Sequence, residues 1–171
     1  MSIIEGRVWK YGDDVNTDVI FPGKYTYTVS DPKLMPQYAL EDLDPRFASQ
    51  MKPNDIIVAG KNWGCGSSRE QAVVCLKEAG LGAIVACSFA RIYYRHCINN
   101  ALPVLTCPEA VAAIESGEIV RIDLGNGVIK SKAGEFTFPG LPAAVMEIFT
   151  AGGLIPYTQM RLKQNQKNRE E

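Results

Sequence analysis

Residues 55–87 constrain the fold more than any other stretch of this chain. Asp55–Ala59 is a short apolar run suited to a buried strand, and it leads directly into a turn with glycine at 64 and 66. An amphipathic helix follows, with Ala72, Cys75, Leu76 and Ala79 at i, i+3, i+4 and i+7 and Gly80 as its stop, so the pattern predicts a helix over 68–79. Ala83–Cys87 is a second buried strand. The alternation continues with an aromatic-rich helix over 89–100, a strand over 103–105, and a helix over 108–116 opened by proline and closed by Gly117. The flanks are richer in β pattern: a strand over 3–9, a hairpin over 118–130 turning at Gly125-Asn126-Gly127, and a strand over 135–138 before a last helix over 142–150. Residues 24–30 read equally as a strand or an exposed loop, and Asp31-Pro32 starts a helix that Pro36 keeps short or kinked. The expected fold is one three-layer α/β domain with a mixed sheet spanning 1–171, ending in a polar tail over about 157–171.

The glycine turn, Asn62-Trp63-Gly64-Cys65-Gly66-Ser67-Ser68-Arg69-Glu70-Gln71, supports two readings. In one, Ser67 and Glu70 form a capping box for the helix that follows. That accounts for one hydroxyl, but not for a second serine or for Arg69, whose charge opposes the helix dipole. In the other, an anion sits between the guanidinium and the helix N-terminus, with a serine beside it. That is a place for chemistry on a carboxylate.

Several function classes are excluded. A net charge of -1 gives no basic surface for nucleic acid, and the basic residues near the end (Arg161, Lys163, Lys167, Arg169) read as a solvated tail. No apolar run is long enough to span a membrane, and Met1–Arg7 lacks the basic start and apolar core of a signal peptide, so a cytoplasmic protein is expected. Five cysteines, an odd number with no C-x-x-C pair, fit reduced thiols rather than a disulfide framework or zinc site. Cys75 and Cys87 read as core residues, while Cys65 lacks a base that would make it a nucleophile. Gly-Lys-Ser/Thr is absent, and Arg69 stands where a dinucleotide motif needs its third glycine. His96, the only histidine, lies inside the aromatic helix with no evident reach to Ser67, and the G-x-S-x-G elbow of a serine hydrolase is missing.

What remains is an incomplete active site: a serine, an arginine beside it, and an acidic turn at Asn16-Thr17-Asp18, with no metal-ligand set and no strong base. Such a chain makes chemical sense if a partner supplies the rest. A stand-alone carboxylate-binding domain is the non-enzymatic version of the same idea.

Three stretches give this a family. Asp14-Val15-Asn16-Thr17-Asp18-Val19-Ile20, Gly60-Lys61-Asn62-Trp63-Gly64-Cys65-Gly66-Ser67-Ser68-Arg69-Glu70 and Ile92-Tyr93-Tyr94-Arg95-His96-Cys97-Ile98-Asn99-Asn100-Ala101-Leu102-Pro103 resemble the signatures of the 3-isopropylmalate dehydratase small subunits, the detached swivel domain of the aconitase superfamily. The resemblance implies a β/β/α swivelling fold and a hydro-lyase active only with a large subunit. That partner carries the [4Fe–4S] cluster, and no cofactor is held on this chain. It implies that Ser67 is the catalytic base toward the carbon beside a carboxylate, its alkoxide stabilised by backbone N–H groups and a nearby guanidinium. It further implies that Arg69 holds the substrate carboxylate, that Ser68 is a neighbouring hydroxyl contact, and that Asp18 supports acid–base chemistry through a partner histidine. The substrate would be a small 2-hydroxy dicarboxylate.

In the family, a loop after the Asp18 motif touches the variable substituent of the substrate. Here it would be Lys24-Tyr25-Thr26-Tyr27-Thr28-Val29, with Thr26 and Tyr27 as candidate contacts. Homoaconitase-like members carry an arginine in this loop, and this one has none. Tyrosine and threonine suit a branched apolar group, which favours 2-isopropylmalate and 3-isopropylmalate over homocitrate. Dimethylmalate and citramalate, also apolar at that end, stay open.

Overall fold

The computed structural model describes residues 3–170, with side chains described through residue 166. Strand β1 (Ile3–Lys10) leads to short helices α1 (Thr17–Ile20) and α2 (Phe47–Gln50), with 3-10 segments Gly23–Tyr25 and Pro32–Tyr38 between them. Then β2 (Ile56–Ala59), α3 (Gln71–Glu78), β3 (Ala83–Ala86), α4 (Arg91–Asn99), β4 (Val104–Thr106) and α5 (Pro108–Ala113) alternate. The chain continues through β5 (Ile119–Asp123), β6 (Val128–Ser131), β7 (Gly134–Thr137), α6 (Ala143–Ala151) and α7 (Leu154–Glu170).

Among the described residues the strands form one mixed sheet in the order β4-β3-β2-β1-β5-β6-β7. β1 is shared between its two halves. Val8–Lys10 run parallel to β2, whereas Ile3–Arg7 pair antiparallel with β5. β2, β3 and β4 are parallel, joined by the helical crossovers through α3 and α4, while β5, β6 and β7 form an antiparallel meander.

Strand alternation sends the parallel strands into two cores. Trp9, Ile57, Ala59, Ile84, Ala86 and Val104 face α3 and α4, where Ala72, Val73, Cys75, Leu76, Tyr93 and Cys97 meet them. Val8, Ile56, Val58, Ala83, Val85 and Leu105 face the other way, onto Val120, Ile122 and Ile129 of the antiparallel strands and Ala110 and Val111 of α5. This is the β/β/α layering, and it explains why β2 and β3 are buried at every position. Each fully buried valine or isoleucine there contributes roughly 1.5–3 kcal/mol.

Asp55 is buried but structural. Its carboxylate accepts from Trp9 Nε1 at 2.9 Å and from the backbone of Lys52 and Arg7, locking the start of β2 to β1.

Three expectations change. The helix expected over 68–79 begins at Gln71, its N-cap position is Glu70 with no side-chain capping bond, and the capping box does not form. Glu70 instead accepts from Asn100 Nδ2 at 2.9 Å, so its side chain is taken by α4 rather than by its own helix end. Of the two readings open for residues 24–30, the loop is the one found, with 3-10 and turn structure through Thr28. Cys87 is only partly buried, at the margin of the second core, whereas Cys75 is fully buried. The segment expected as a polar tail is helical from Leu154 onward, because Gln, Met, Arg, Leu and Lys are good helix formers even without an apolar face. Arg161 and Lys163 are exposed on it, while the same expectation for Lys167 and Arg169 falls outside the described side chains, and the reading of Met1 and Ser2 outside the described residues. α1 and α2 carry too little periodicity to be seen in the sequence. α1 is fixed by Asn16, whose side chain caps it by accepting from Val19 N at 2.9 Å.

Candidate active site

The loops after β1, β2 and β3 leave the sheet at the C-terminal ends of its parallel strands, the edge where open α/β sheets place ligands. Pairing does not stop with the strands. Asp14 N donates to Lys61 O, Gly64 N to Val15 O and Thr17 N to Cys65 O, each at 2.8 Å, and Trp63 N donates to Ser88 O at 3.0 Å. The turn over 60–69 is therefore laced between the loop from β1 and the loop from β3. Gly64 sits at φ +77° with its α-carbon against the Tyr93 ring, so closely that any β-carbon would enter the ring. Trp63, beside it, is fully buried. These contacts aim Gly66-Ser67-Ser68-Arg69 outward.

Ser67 and Ser68 are exposed at this edge. Beneath Ser67 lies Thr17, which with Asp55 is one of two polar residues buried among those described. Thr17 Oγ1 donates to the Ser67 carbonyl at 2.9 Å and lies 3.4 Å from Ser67 Oγ. Ser67 stands four residues before α3, so the helix end does not act on its hydroxyl as the sequence suggested.

Arg69 and Asp18 are ion-paired through Nη1 and Oδ1. Gly23 lies directly under the pair, and a β-carbon there would come within 2.9 Å of both Arg69 Nη1 and Asp18 Oδ1. Four of the expected site residues, Ser67, Ser68, Arg69 and Asp18, thus share one surface. Thr26 and Tyr27 follow on the loop that starts at Gly23. The Tyr27 side chain is 96% exposed and touches none of the four, while the Thr26 hydroxyl is buried without a hydrogen-bond partner.

His96 lines an open cleft of about 500 Å³ together with Ser68, Glu70 and Gln71, and its Nδ1 is buried without a partner. It makes no hydrogen bond to Ser67, and no histidine or lysine does so among the described residues. Cys65 is half-buried, its thiol 3.5 Å from the Asp14 carbonyl. No group of three or more His, Cys, Asp or Glu among the described residues is placed to hold a metal ion, and no helix among them is long and apolar enough to cross a membrane. Thr17 and Gly23 are the contributors the sequence did not reveal. A threonine between Asn16 and Asp18 was visible as part of an acidic turn, but nothing marked it as buried, and Pro22-Gly23 read only as a break in the chain.

This edge brings together a guanidinium already paired with a carboxylate and two exposed hydroxyls. A model of the aconitase C-terminal domain matches residues 14–110, which include every one of these groups. The chain is 45% identical over 167 residues to the 3-isopropylmalate dehydratase small subunit of Nautilia profundicola, covering 96% of this chain and 99% of that one. It is 48% identical over 154 residues to the protein of the same name from Halothermothrix orenii, covering 89% and 93%. The crystal structure of 3-isopropylmalate dehydratase (leuD) from Methanocaldococcus jannaschii superposes with a TM-score of 0.89 at 42% identity, covering 96% of this chain and 99% of that one. Fold, site and likeness over nearly the whole length converge, and the chain belongs to the aconitase C-terminal domain family, among the 3-isopropylmalate dehydratase small subunits.

Proposed function

We propose that this chain is the small subunit of a hydro-lyase that interconverts 2-isopropylmalate and 3-isopropylmalate by dehydration and rehydration, a step of leucine biosynthesis. It acts as a single swivel-type domain closing over a large subunit. The observation that carries the reading is the meeting of the Ser67-Ser68-Arg69 turn with Asp18 on one exposed edge, where Arg69 pairs with Asp18 and Ser67 rests on Thr17. In this reading the large subunit would hold a [4Fe–4S] cluster, which would supply Lewis-acid polarisation of the substrate.

On this chain, Arg69 binds a substrate carboxylate. That exchange replaces one carboxylate, Asp18, by another, so the guanidinium is never left unpaired and the cost of uncovering it is small. Asp18, released, is free to orient a histidine of the large subunit. Ser68 adds a hydroxyl contact. Ser67 takes the proton from the carbon beside the carboxylate, the nearby guanidinium stabilises the negative charge on its oxygen, and the Thr17 hydroxyl beneath positions the serine by donating to its carbonyl. Loss of the neighbouring hydroxyl gives the alkene, and water re-added in the opposite sense moves the hydroxyl to the adjacent carbon. Thr26 and Tyr27 meet the branched apolar substituent, in a loop with no arginine for a further carboxylate. Five free thiols suit a cytoplasmic setting.

The test is anaerobic reconstitution with a cluster-bearing large subunit, assayed on 2-isopropylmalate, 2,3-dimethylmalate, citramalate and homocitrate. Turnover that needs both chains and is fastest on 2-isopropylmalate is expected. Preference for dimethylmalate or citramalate would keep the mechanism and change the substrate. An intact cluster in a formed complex with no turnover would remove the enzymatic reading.

A further inference from the structure

The loop over 23–29 is fixed at its base and free at its tip. Lys24 Nζ lies 3.1 Å from Glu41 Oε1 and 3.8 Å from Asp42 Oδ1. Tyr25 OH donates to the same Glu41 oxygen at 3.3 Å, and Lys24 lies over the Tyr25 ring, 4.9 Å from its centroid. Tyr25 stacks on Tyr38 with ring centroids 3.9 Å apart. Glu41 is itself held from behind. Its neighbour Leu40 is fully buried, adopts φ +58°, and donates its N–H to Ile20 O at 2.9 Å, the last residue of α1. Asp18 lies on that same helix. The other Glu41 oxygen, Oε2, is buried with no hydrogen-bond partner, so the side chain is committed to this position although one oxygen gains nothing from it.

Two anchors therefore set where the loop stands relative to the carboxylate-binding arginine. One is Gly23 under the Arg69–Asp18 pair, and the other is Glu41, which ties Lys24 and Tyr25 back to the end of the helix that carries Asp18. Beyond them, Tyr27 has no tertiary restraint, being 96% exposed.

We propose that Glu41 is a positioning residue for substrate selection: through Lys24 and Tyr25 it fixes the distance between Arg69, which holds the carboxylate, and Thr26 and Tyr27, which meet the variable substituent. Glu41 touches no substrate. This rests on the reading of loop 23–29 as the substituent-facing loop. Removing its charge frees the loop base, so Thr26 and Tyr27 sample several positions and discriminate less between substituents. Binding of the carboxylate and proton transfer at Ser67 are untouched.

The experiment compares Glu41→Gln, Lys24→Gln, the double variant and Tyr27→Ala in the reconstituted two-subunit enzyme, with kcat and KM on 2-isopropylmalate and 2,3-dimethylmalate. Glu41→Gln is expected to raise KM for 2-isopropylmalate about threefold, as loss of an exposed ion pair does, with kcat unchanged and the preference between the two substrates narrowed. Lys24→Gln should do the same to an equal or smaller extent, since Tyr25 still reaches Glu41, and the double variant should be no worse than Glu41→Gln alone, because the Lys24 link is already weakened there. In the isolated subunit, Glu41→Gln should speed tryptic cleavage after Lys24 at unchanged melting temperature. If Tyr27→Ala shifts substrate preference while Glu41→Gln does not, the positioning role is overturned and the loop reading stands. If neither shifts it, the loop reading falls and this inference with it. Additive losses in the double variant, or loss of kcat rather than a change in KM, would also overturn the proposal.

Discussion

The turn over 60–69 and the loop over 23–29 meet at the Arg69–Asp18 pair, yet they are held by different forces. The turn is fixed by backbone hydrogen bonds to segments far away in sequence, Val15, Thr17 and Ser88, and by a buried tryptophan and a glycine pressed on Tyr93. The loop makes only local backbone bonds, from Tyr25 N to Pro22 O, Thr26 N to Gly23 O and Val29 N to Tyr25 O, and borrows its long-range order from side chains at its base. Backbone lacing continuous with a sheet is insensitive to which side chains ride on it and suits groups that must not move by a fraction of an ångström. Side-chain bracing on the surface is weak and easily altered, which suits the part that chooses between similar substrates. In the proposed function, chemistry is thus built into the sheet edge and selection is hung beside it.

The sharpest way to break this contrast is at Ser67. Ser67→Ala should lower kcat about 10³-fold in the assembled enzyme with KM within a few-fold, measured by steady-state kinetics on 2-isopropylmalate. Near-normal turnover would mean that the exposed serine of the turn is not the base. Next in size is Gly64→Ala, which forces a β-carbon into the Tyr93 ring at a left-handed backbone position and should cost about 2–4 kcal/mol in chemical denaturation. Gly23→Ala carries no left-handed strain. It should leave stability nearly unchanged while displacing the Arg69–Asp18 pair, seen as a higher KM. A similar loss for both variants would erase the distinction between turn and loop.

Arg69→Lys keeps the charge but loses the forked geometry that two carboxylates in turn must fit. It should raise KM about tenfold at little cost in kcat, again read from steady-state kinetics. The smallest effect is the response of the loop to pH. Lys24, and then Tyr25, hold the Glu41 carboxyl below its usual range by hydrogen bonding to it. Because its value is lowered in the folded chain, its contribution is complete above the ordinary glutamate range of about 4.3 and disappears as pH falls through the lowered value. Glu41 in turn raises the Lys24 ammonium, so the same contact is lost at the alkaline end only above the ordinary lysine range. The Tyr25 ring signals in an NMR titration of the free subunit should stay flat from about pH 5 to pH 9 and move only outside that window. Movement near neutrality would show that Glu41 does not govern the loop.

Most of the central fold was legible in the sequence. The buried runs at 56–59 and 83–86, the helices at 71–78 and 91–99, and the hairpin turning at Gly127 all follow from periodicity and turn chemistry. The reading failed where a tertiary partner outbid a local one. Ser67 and Glu70 spell a capping box, but Glu70 is claimed by Asn100 and Ser67 by the buried Thr17, so the helix starts later. α7 was missed for the converse reason, since a helix with no buried face leaves no periodic signature.

The sequence by itself determined the alternation of buried strands and helices, the need for glycine in the turn, and the cast of polar residues available for chemistry. These depend on side-chain size, polarity and backbone freedom within a few positions. Only the tertiary structure decided that Arg69 faces Asp18, 51 residues away, that Gly23 lies beneath both, and that Glu41 braces the loop between them. Which distant segments meet is set by the order in which strands pair. That order is chosen by burying two faces of the parallel strands at once, an energy summed over the whole chain and written in no single stretch of it.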